Sequence, residues 1–167
     1  ISRNPVLNAT LPKCETKPRE IWTADTLFHA LELCDDDNLA LALNLAFSCS
    51  LRMGEMLALT WDCIDISAES ISHDCASIFV NKELQRVQKQ SLEMLDGKGV
   101  IKVFPSILVS KHTALVLKEP KTKTSIRKVF LPKTVAEMLL KRQAEQNELK
   151  ELFGDEYTDY GLVFCAP

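Results

Sequence analysis

No apolar run in this chain reaches the roughly 18–20 residues that a membrane-spanning helix needs, so nothing in the sequence asks for a bilayer. The first residue is Ile1, not Met, and no charged-then-apolar stretch follows it, so the chain reads as an excised piece of a longer protein. None of the six cysteines (Cys14, Cys34, Cys49, Cys63, Cys75 and Cys165) forms a CxxC pair, and the histidines are too few and too scattered to complete a zinc site. A reduced, cytoplasmic protein whose cysteines act as small core residues is the expectation, with Cys34 and Cys49 on apolar helical patterns. A basic excess is lacking as well: the net charge is −3, whereas a nucleic-acid-binding domain usually carries an overall positive charge.

What is present fits an ordinary globular domain. A hydrophobic fraction of 46% and a charged fraction of 26% exclude disorder and low complexity, and 167 residues suffice for one core. Charge is distributed unevenly. Lys111, Lys118, Lys121, Lys123, Arg127, Lys128 and Lys133 are opposed over their span only by Glu119, a local basic stretch on an acidic chain. A solvated face is the plain account of such a stretch.

Residues 1–20 contain Pro5, Pro12 and Pro18 and little apolar periodicity, which predicts an extended linker. Thr23 is a good N-cap for a helix whose face carries Leu27, Ala30, Leu31 and Cys34. The acids at 35–37 suit the start of a second helix from about Asn38 to Ser48. That helix is apolar nearly all round, which predicts burial at the domain centre. A break at Ser48-Cys49-Ser50 precedes Leu51-Arg52-Met53-Gly54-Glu55, and Met56, Leu57 and Leu59 continue the core. Strands are predicted around Ile64 and Ile66, at Ile71 and over Ser77-Ile78-Phe79-Val80. Residues 83–95 read as a helix with Leu84, Val87, Leu92 and Leu95 on one face, stopped by Gly97 and Gly99. Val100–Phe104 is a short strand. Ala114–Leu117 and Ile126–Leu131 read as a hairpin joined by residues 119–125. Thr134 is expected to cap a long amphipathic helix to about Leu152, ended by Gly154, with Leu162-Val163-Phe164 a last strand or turn. The class is α+β, mainly helical with a small antiparallel sheet.

Two segments could do chemistry. Arg52 lies at the mouth of a helix, and its rigid, permanently charged fork matches the oxygens of a phosphate. Helix N-terminal N–H groups would add donors for the same anion. Glu55, three residues on, can hold an arginine or cap the turn. Taken alone the pair is equally a surface i,i+3 ion pair worth a few tenths of a kcal/mol. The second segment is Pro120-Lys121-Thr122-Lys123 with Ser125 and Arg127, where flanking strands would fix the base of a lysine reaching for a ligand. Taken alone it is a solubilising turn.

Together the two segments resemble the tyrosine recombinase (phage- or transposon-type integrase) family. Residues 46–65, centred on Ser50-Leu51-Arg52-Met53-Gly54-Glu55-Met56-Leu57-Ala58-Leu59-Thr60-Trp61, resemble that family's first arginine box, T-G-L-R-x-G-E-L-L-x-L-x-W-x-D-I-D. Ser50 stands where Gly is usual and Cys63 where Asp is usual. Residues 118–132 resemble the β-hairpin that bears the family's catalytic lysine, often P-K-T-x-x-S-x-R. Asn4-Pro5-Val6, Trp22-Thr23 and Leu162-Val163-Phe164 match flanking landmarks. The resemblance implies that residues 1–20 link to a preceding DNA-binding domain and that 21–167 are the N-terminal part of the catalytic domain. Residues 83–110 are then an insertion. The family's H-x-x-R box and tyrosine nucleophile match nothing before Pro167. Tyr157 and Tyr160 are read as packing or surface residues, and His29, His73 and His112 match no family box.

The family cleaves a DNA phosphodiester with a tyrosine, stores the bond as a 3′-phosphotyrosyl link, and rejoins it to a second strand without metal or nucleotide cofactor. The resemblance therefore implies that Arg52 contacts the scissile phosphate, Glu55 orients Arg52, and Lys121 protonates the departing 5′-oxygen. Lys123, Ser125 and Arg127 would make contacts that position the duplex. Double-stranded DNA and other recombinase protomers are the expected partners, and the segment alone is expected to be inactive. A non-catalytic DNA-binding or interaction module on the same scaffold, and a helical adaptor with no DNA role, are the other readings.

Overall fold

The structure is a computed structural model and describes residues 20–94, 97–105 and 112–165. The linker reading of residues 1–20, and Lys111 at the start of the basic stretch, lie almost wholly outside those residues.

Helix α1 spans Ala24–Glu32, and the Thr23 hydroxyl accepts the Thr26 N–H at its start. Helix α2 spans Asp37–Ser48, and Asp36 is its N-cap, with one carboxylate oxygen accepting from Asn38 and Leu39 N–H. Both starts satisfy amide donors that a helix cannot pair internally. α3 is a single turn and a half, Met53–Leu57. A 3₁₀ turn over Trp61–Cys63 then feeds β1, Ile64–Asp65. Helix α4 is Ala68–Ser72, and β2 is Ser77–Val80. Next come β3 (Glu83–Gln88), α5 (Lys89–Met94), β4 (Val100–Phe104) and β5 (Thr113–Lys118). A 3₁₀ turn at Lys123–Ser125 leads to β6, Arg127–Phe130. The long α6 runs Lys133–Phe153 and ends at Gly154, whose φ of +50° suits glycine.

Among the described residues six strands form two antiparallel three-stranded sheets, ordered β1-β2-β6 and β3-β5-β4. The main core lies between the first sheet and the helices. Leu41 and Leu45 of α2, Ile78 and Val80 of β2, and Val135, Ala136 and Leu139 of α6 meet there, all at 2% exposure or less. Fully burying each such aliphatic side chain contributes about 1.5–3 kcal/mol. A smaller cluster of Ala58, Phe104, Leu117 and Leu162 joins the second sheet to the end of α3.

Four local expectations are corrected. Residues 83–88 form a strand and 89–94 are helical, while residue 95, the end of the expected helix, lies outside the described residues. The β5 segment Ala114–Leu117 is a central strand, with Val116 and Leu117 buried, so it recruits partners on both edges, β3 and β4, and overrides the weaker helical spacing of 83–88. For the same reason 114–117 and 126–131 are not a hairpin. β5 belongs to the second sheet and β6 to the first, where β6 pairs with β2 from Ser77↔Phe130 to Val80↔Arg127. Residues 119–126 are thus a crossover between sheets. Ile71 lies in α4, after the Ser67 N-cap, and not in a strand. The long helix is preceded by Pro132 instead of Thr134, which falls inside its first turn. Proline preorganises a helix start without losing a needed donor.

α2 is also less enclosed than its composition predicts. Leu41 and Leu45 are buried, but Leu39 and Phe47 are about half exposed. Among the described residues no helix is long and apolar enough to cross a membrane.

Candidate active site

The Arg52 turn has a left-handed entry. Ser50 has φ of +50°, where side-chain-bearing residues are crowded and glycine is not. The chain reverses there, between the buried Cys49 and Leu51, and presents Arg52 as the N-cap of α3 with its side chain 75% exposed. Ser50→Gly is expected to stabilise the domain by about 0.5–1 kcal/mol, relief of strain being partly offset by the freer unfolded chain. Urea unfolding reads this directly, and a midpoint that stays put or falls would contradict it. Gly54 serves a different need: a Cβ there would sit 3.1 Å from the Leu84 carbonyl oxygen, so its absence lets the backbone of β3 approach α3.

Glu55 is the hub. It is 3% exposed and its two carboxylate oxygens receive four donors. Oε2 accepts the Arg52 backbone N–H at 3.0 Å and Arg127 Nη2 at 2.9 Å. Oε1 accepts Arg52 Nη1 at 3.0 Å and Arg127 Nη1 at 3.1 Å. The Arg127 guanidinium, acting against the opposing effect of burial and aided by the Arg52 N–H, holds the Glu55 carboxyl down to about 2. Arg127 Nη1 also donates to the Ser125 carbonyl at 3.1 Å. One buried carboxylate therefore ties the arginine turn to the crossover that bears Lys121.

That crossover is internally braced. The Thr122 hydroxyl lies 2.9 Å from the Ser125 hydroxyl and 3.0 Å from that of Thr124. Lys121 and Lys123 are exposed and, among the described residues, make no ion pair. The structure thus brings Arg52, Glu55, Arg127 and the Ser125 backbone together, and Lys121 and Lys123 are exposed on the crossover that Arg127 and Ser125 anchor.

Several supporting residues were not legible as such in the sequence. Lys82 donates to Thr60 Oγ1 at 2.7 Å and to Asp62 at 2.8 and 3.0 Å, fixing the exit from α3. It holds Asp62 below the usual carboxylate range. Gln146, 2% exposed, accepts the Trp61 indole N–H at 2.7 Å and donates to the Leu162 and Val163 carbonyls. Arg142 donates to the Val163 and Cys165 carbonyls. A signal did exist: Val135, Leu139, Arg142 and Gln146 continue one helical face, so the two polar residues sit where apolar ones are expected. Tyr157 is committed to packing against Cys165, its hydroxyl 3.6 Å from that sulfur, and burial with this contact pushes it up to about 12. Among the described residues no three His, Cys, Asp or Glu side chains converge on a metal-sized site.

Known proteins resemble this chain in sequence and in fold. The chain is 34% identical over 127 residues to a "Tyrosine recombinase XerC-like" protein of Caldanaerobacter subterraneus subsp. tengcongensis, a match that covers 73% of this chain and 26% of that protein. Two solved structures of the Tn1549 transposon integrase share its fold. One, an arginine-to-lysine variant with a circular-intermediate DNA, has a TM-score of 0.59 at 17% identity. The other, a tyrosine-to-phenylalanine variant with transposon right-end DNA, has a TM-score of 0.54 at 18% identity. Each match covers 91% of this chain and 39% of the integrase chain. No family model matches the chain. The fold matches part of the integrase fold, and in this chain the Arg52 turn and the basic crossover are joined at the Glu55 carboxylate. In sequence and in fold the chain is similar to tyrosine recombinases. It spans about a quarter of the length of the curated relative it matches.

Proposed function

We propose that this chain is a portion of the catalytic domain of a site-specific recombinase, one that supplies two of the cationic groups that act on a scissile DNA phosphate. The observation that carries the reading is the Glu55 hub. A surface Arg–Glu pair has no need to be buried, and a solubilising turn has no need to be tied to it. Here the exposed guanidinium of Arg52 and the loop of Lys121 are fixed to one point, as a site for one anion requires.

In this reading a tyrosine outside these 167 residues attacks phosphorus, forming the 3′-phosphotyrosyl bond and breaking the bond to the 5′-oxygen. Arg52 stabilises charge on the non-bridging oxygens. Lys121 gives its proton to the departing 5′-oxygen, so that an alcohol leaves instead of an alkoxide. The chain's own residues carry out these roles without a metal or nucleotide cofactor. Lys123 and Ser125 position the duplex, whose backbone contacts carry no sequence information. The setting is a reducing cytoplasm, and the working assembly includes further protomers on DNA. Residues 83–110, which contribute β3, α5 and β4 beside α3, are read as an insertion.

A nicked suicide substrate tests this reading. The longer protein containing this segment is expected to leave a covalent protein–DNA adduct that survives denaturation, and the 167-residue segment alone is expected to leave none. The segment alone should still bind duplex weakly, with log K falling by about 0.9 per phosphate contact for each unit of log salt. Replacing Lys121 and Lys123 by Glu should make that slope shallower. Duplex binding without any adduct from the longer protein would favour a non-catalytic DNA-binding module. No affinity at low salt would favour a protein-interaction module.

A further inference from the structure

We propose that Arg127 is a positioning residue of this site, one that saturates the Glu55 carboxylate so that Arg52 stays free for phosphate, and not a DNA contact itself. The inference rests on the recombinase reading above. It assigns to Arg127 a role different from the duplex contact that the resemblance implies.

The argument begins with lone pairs. A carboxylate accepts about four hydrogen bonds in its plane. Those of Glu55 are all taken, two by Arg127 and two by Arg52, of which one comes from the Arg52 backbone. The Arg52 guanidinium is therefore restricted to a single bond, through Nη1, and its remaining donors face solvent. If Arg127 were absent, two acceptor positions on a buried anion would fall vacant. An arginine three residues away would close over them, because bidentate pairing is the stronger geometry. Arg52 would then be drawn off the position where the phosphate must lie.

Arg127 is also unsuited to holding DNA. Both of its terminal nitrogens are on Glu55, and Nη1 is shared with the Ser125 carbonyl. Its backbone is fixed in β6 opposite Val80. A phosphate would have to displace a buried counter-ion of matched fork geometry. Lys121 and Lys123, exposed nearby and free of ion pairs among the described residues, face no such competition. Through Ser125 the same guanidinium anchors the end of the lysine-bearing crossover, so one side chain sets the mutual position of both catalytic cations.

The test uses the longer recombinase that carries this segment, with Arg127→Met and Arg127→Lys variants. Two quantities are read: single-turnover cleavage of a nicked suicide substrate at saturating DNA, and duplex affinity across a salt series. For Arg127→Met we expect cleavage to fall about 10–100-fold, the scale of a misplaced catalytic group, with the salt slope unchanged. Arg127→Lys keeps a cation on Glu55 but loses the fork, and should recover part of the rate; it also serves if the methionine variant fails to fold. With Glu55→Gln already in place, Arg127→Met should reduce the rate little further. A salt slope smaller by about 0.9 with cleavage at saturating DNA unchanged would make Arg127 a phosphate contact and overturn the proposal. If the wild-type protein forms no adduct at all, the recombinase reading itself fails and this inference falls with it.

Discussion

Glu55→Gln is expected to lower the stability of the domain by about 3 kcal/mol at neutral pH, which for a chain of this size corresponds to a melting temperature lower by about 6–12 °C. The substitution removes a buried negative charge and leaves Arg127, two-thirds buried, facing an amide whose NH2 cannot accept its donors. Proton linkage leads to the same order of magnitude. A carboxyl brought from its ordinary 4.5 down to about 2 by folding contributes about 3 kcal/mol through proton linkage. The sign follows from the direction of the shift. The folded value is depressed, so the contribution is fully present above about 4.5 and is lost as pH falls through the window down to about 2. The stability gap between wild type and Glu55→Gln should therefore narrow on acidification within that window. Thermal melts of the two proteins at neutral pH and near pH 3 measure it. Equal melting temperatures at neutral pH, or a gap indifferent to acid, would remove Glu55 from its place as the hub.

The site was more legible in the sequence than the sheets around it. The spacing of Arg52 and Glu55 on a helix mouth is local, and a three-residue offset brings them together whatever the remainder of the chain does. The caps at Thr23 and Asp36 are local in the same way, and so is the glycine stop at Gly154. Strand partnership is not local. Residues 83–88 carry a spacing compatible with a helix, and their strand conformation is decided by the edge of β5, about thirty residues away. The apparent hairpin around Lys121 failed for a related reason. Sequence shows two strands and a turn, but not that each strand has a different sheet to join. The partnership of Arg127 with Glu55, 72 residues apart, was equally out of reach. Charge alone suggested a solvated face for the basic stretch, and one of its members, Arg127, is instead engaged by Glu55. The buried pair Arg142 and Gln146 is the instructive middle case, since their place on the apolar face of α6 was visible while their acceptors in 162–165 were not.

The central claim is a division of labour at one phosphate, with Lys121 acting as proton donor and Arg52 stabilising the phosphoryl oxygens. In the longer recombinase, loss of a general acid should slow cleavage about 10²–10⁴-fold, and loss of an electrostatic stabiliser about 10²–10³-fold. Those ranges overlap, so rates on ordinary DNA cannot separate the two roles. A substrate with sulfur in place of the bridging 5′-oxygen can, because a thiolate departs without a proton. The decisive measurement is single-turnover cleavage of that substrate by wild type, Lys121→Ala and Arg52→Ala. The account predicts that Lys121→Ala returns to near the wild-type rate while Arg52→Ala stays defective. Equal impairment of Lys121→Ala on the oxygen and sulfur substrates would contradict it, leaving Lys121 without a role in proton transfer.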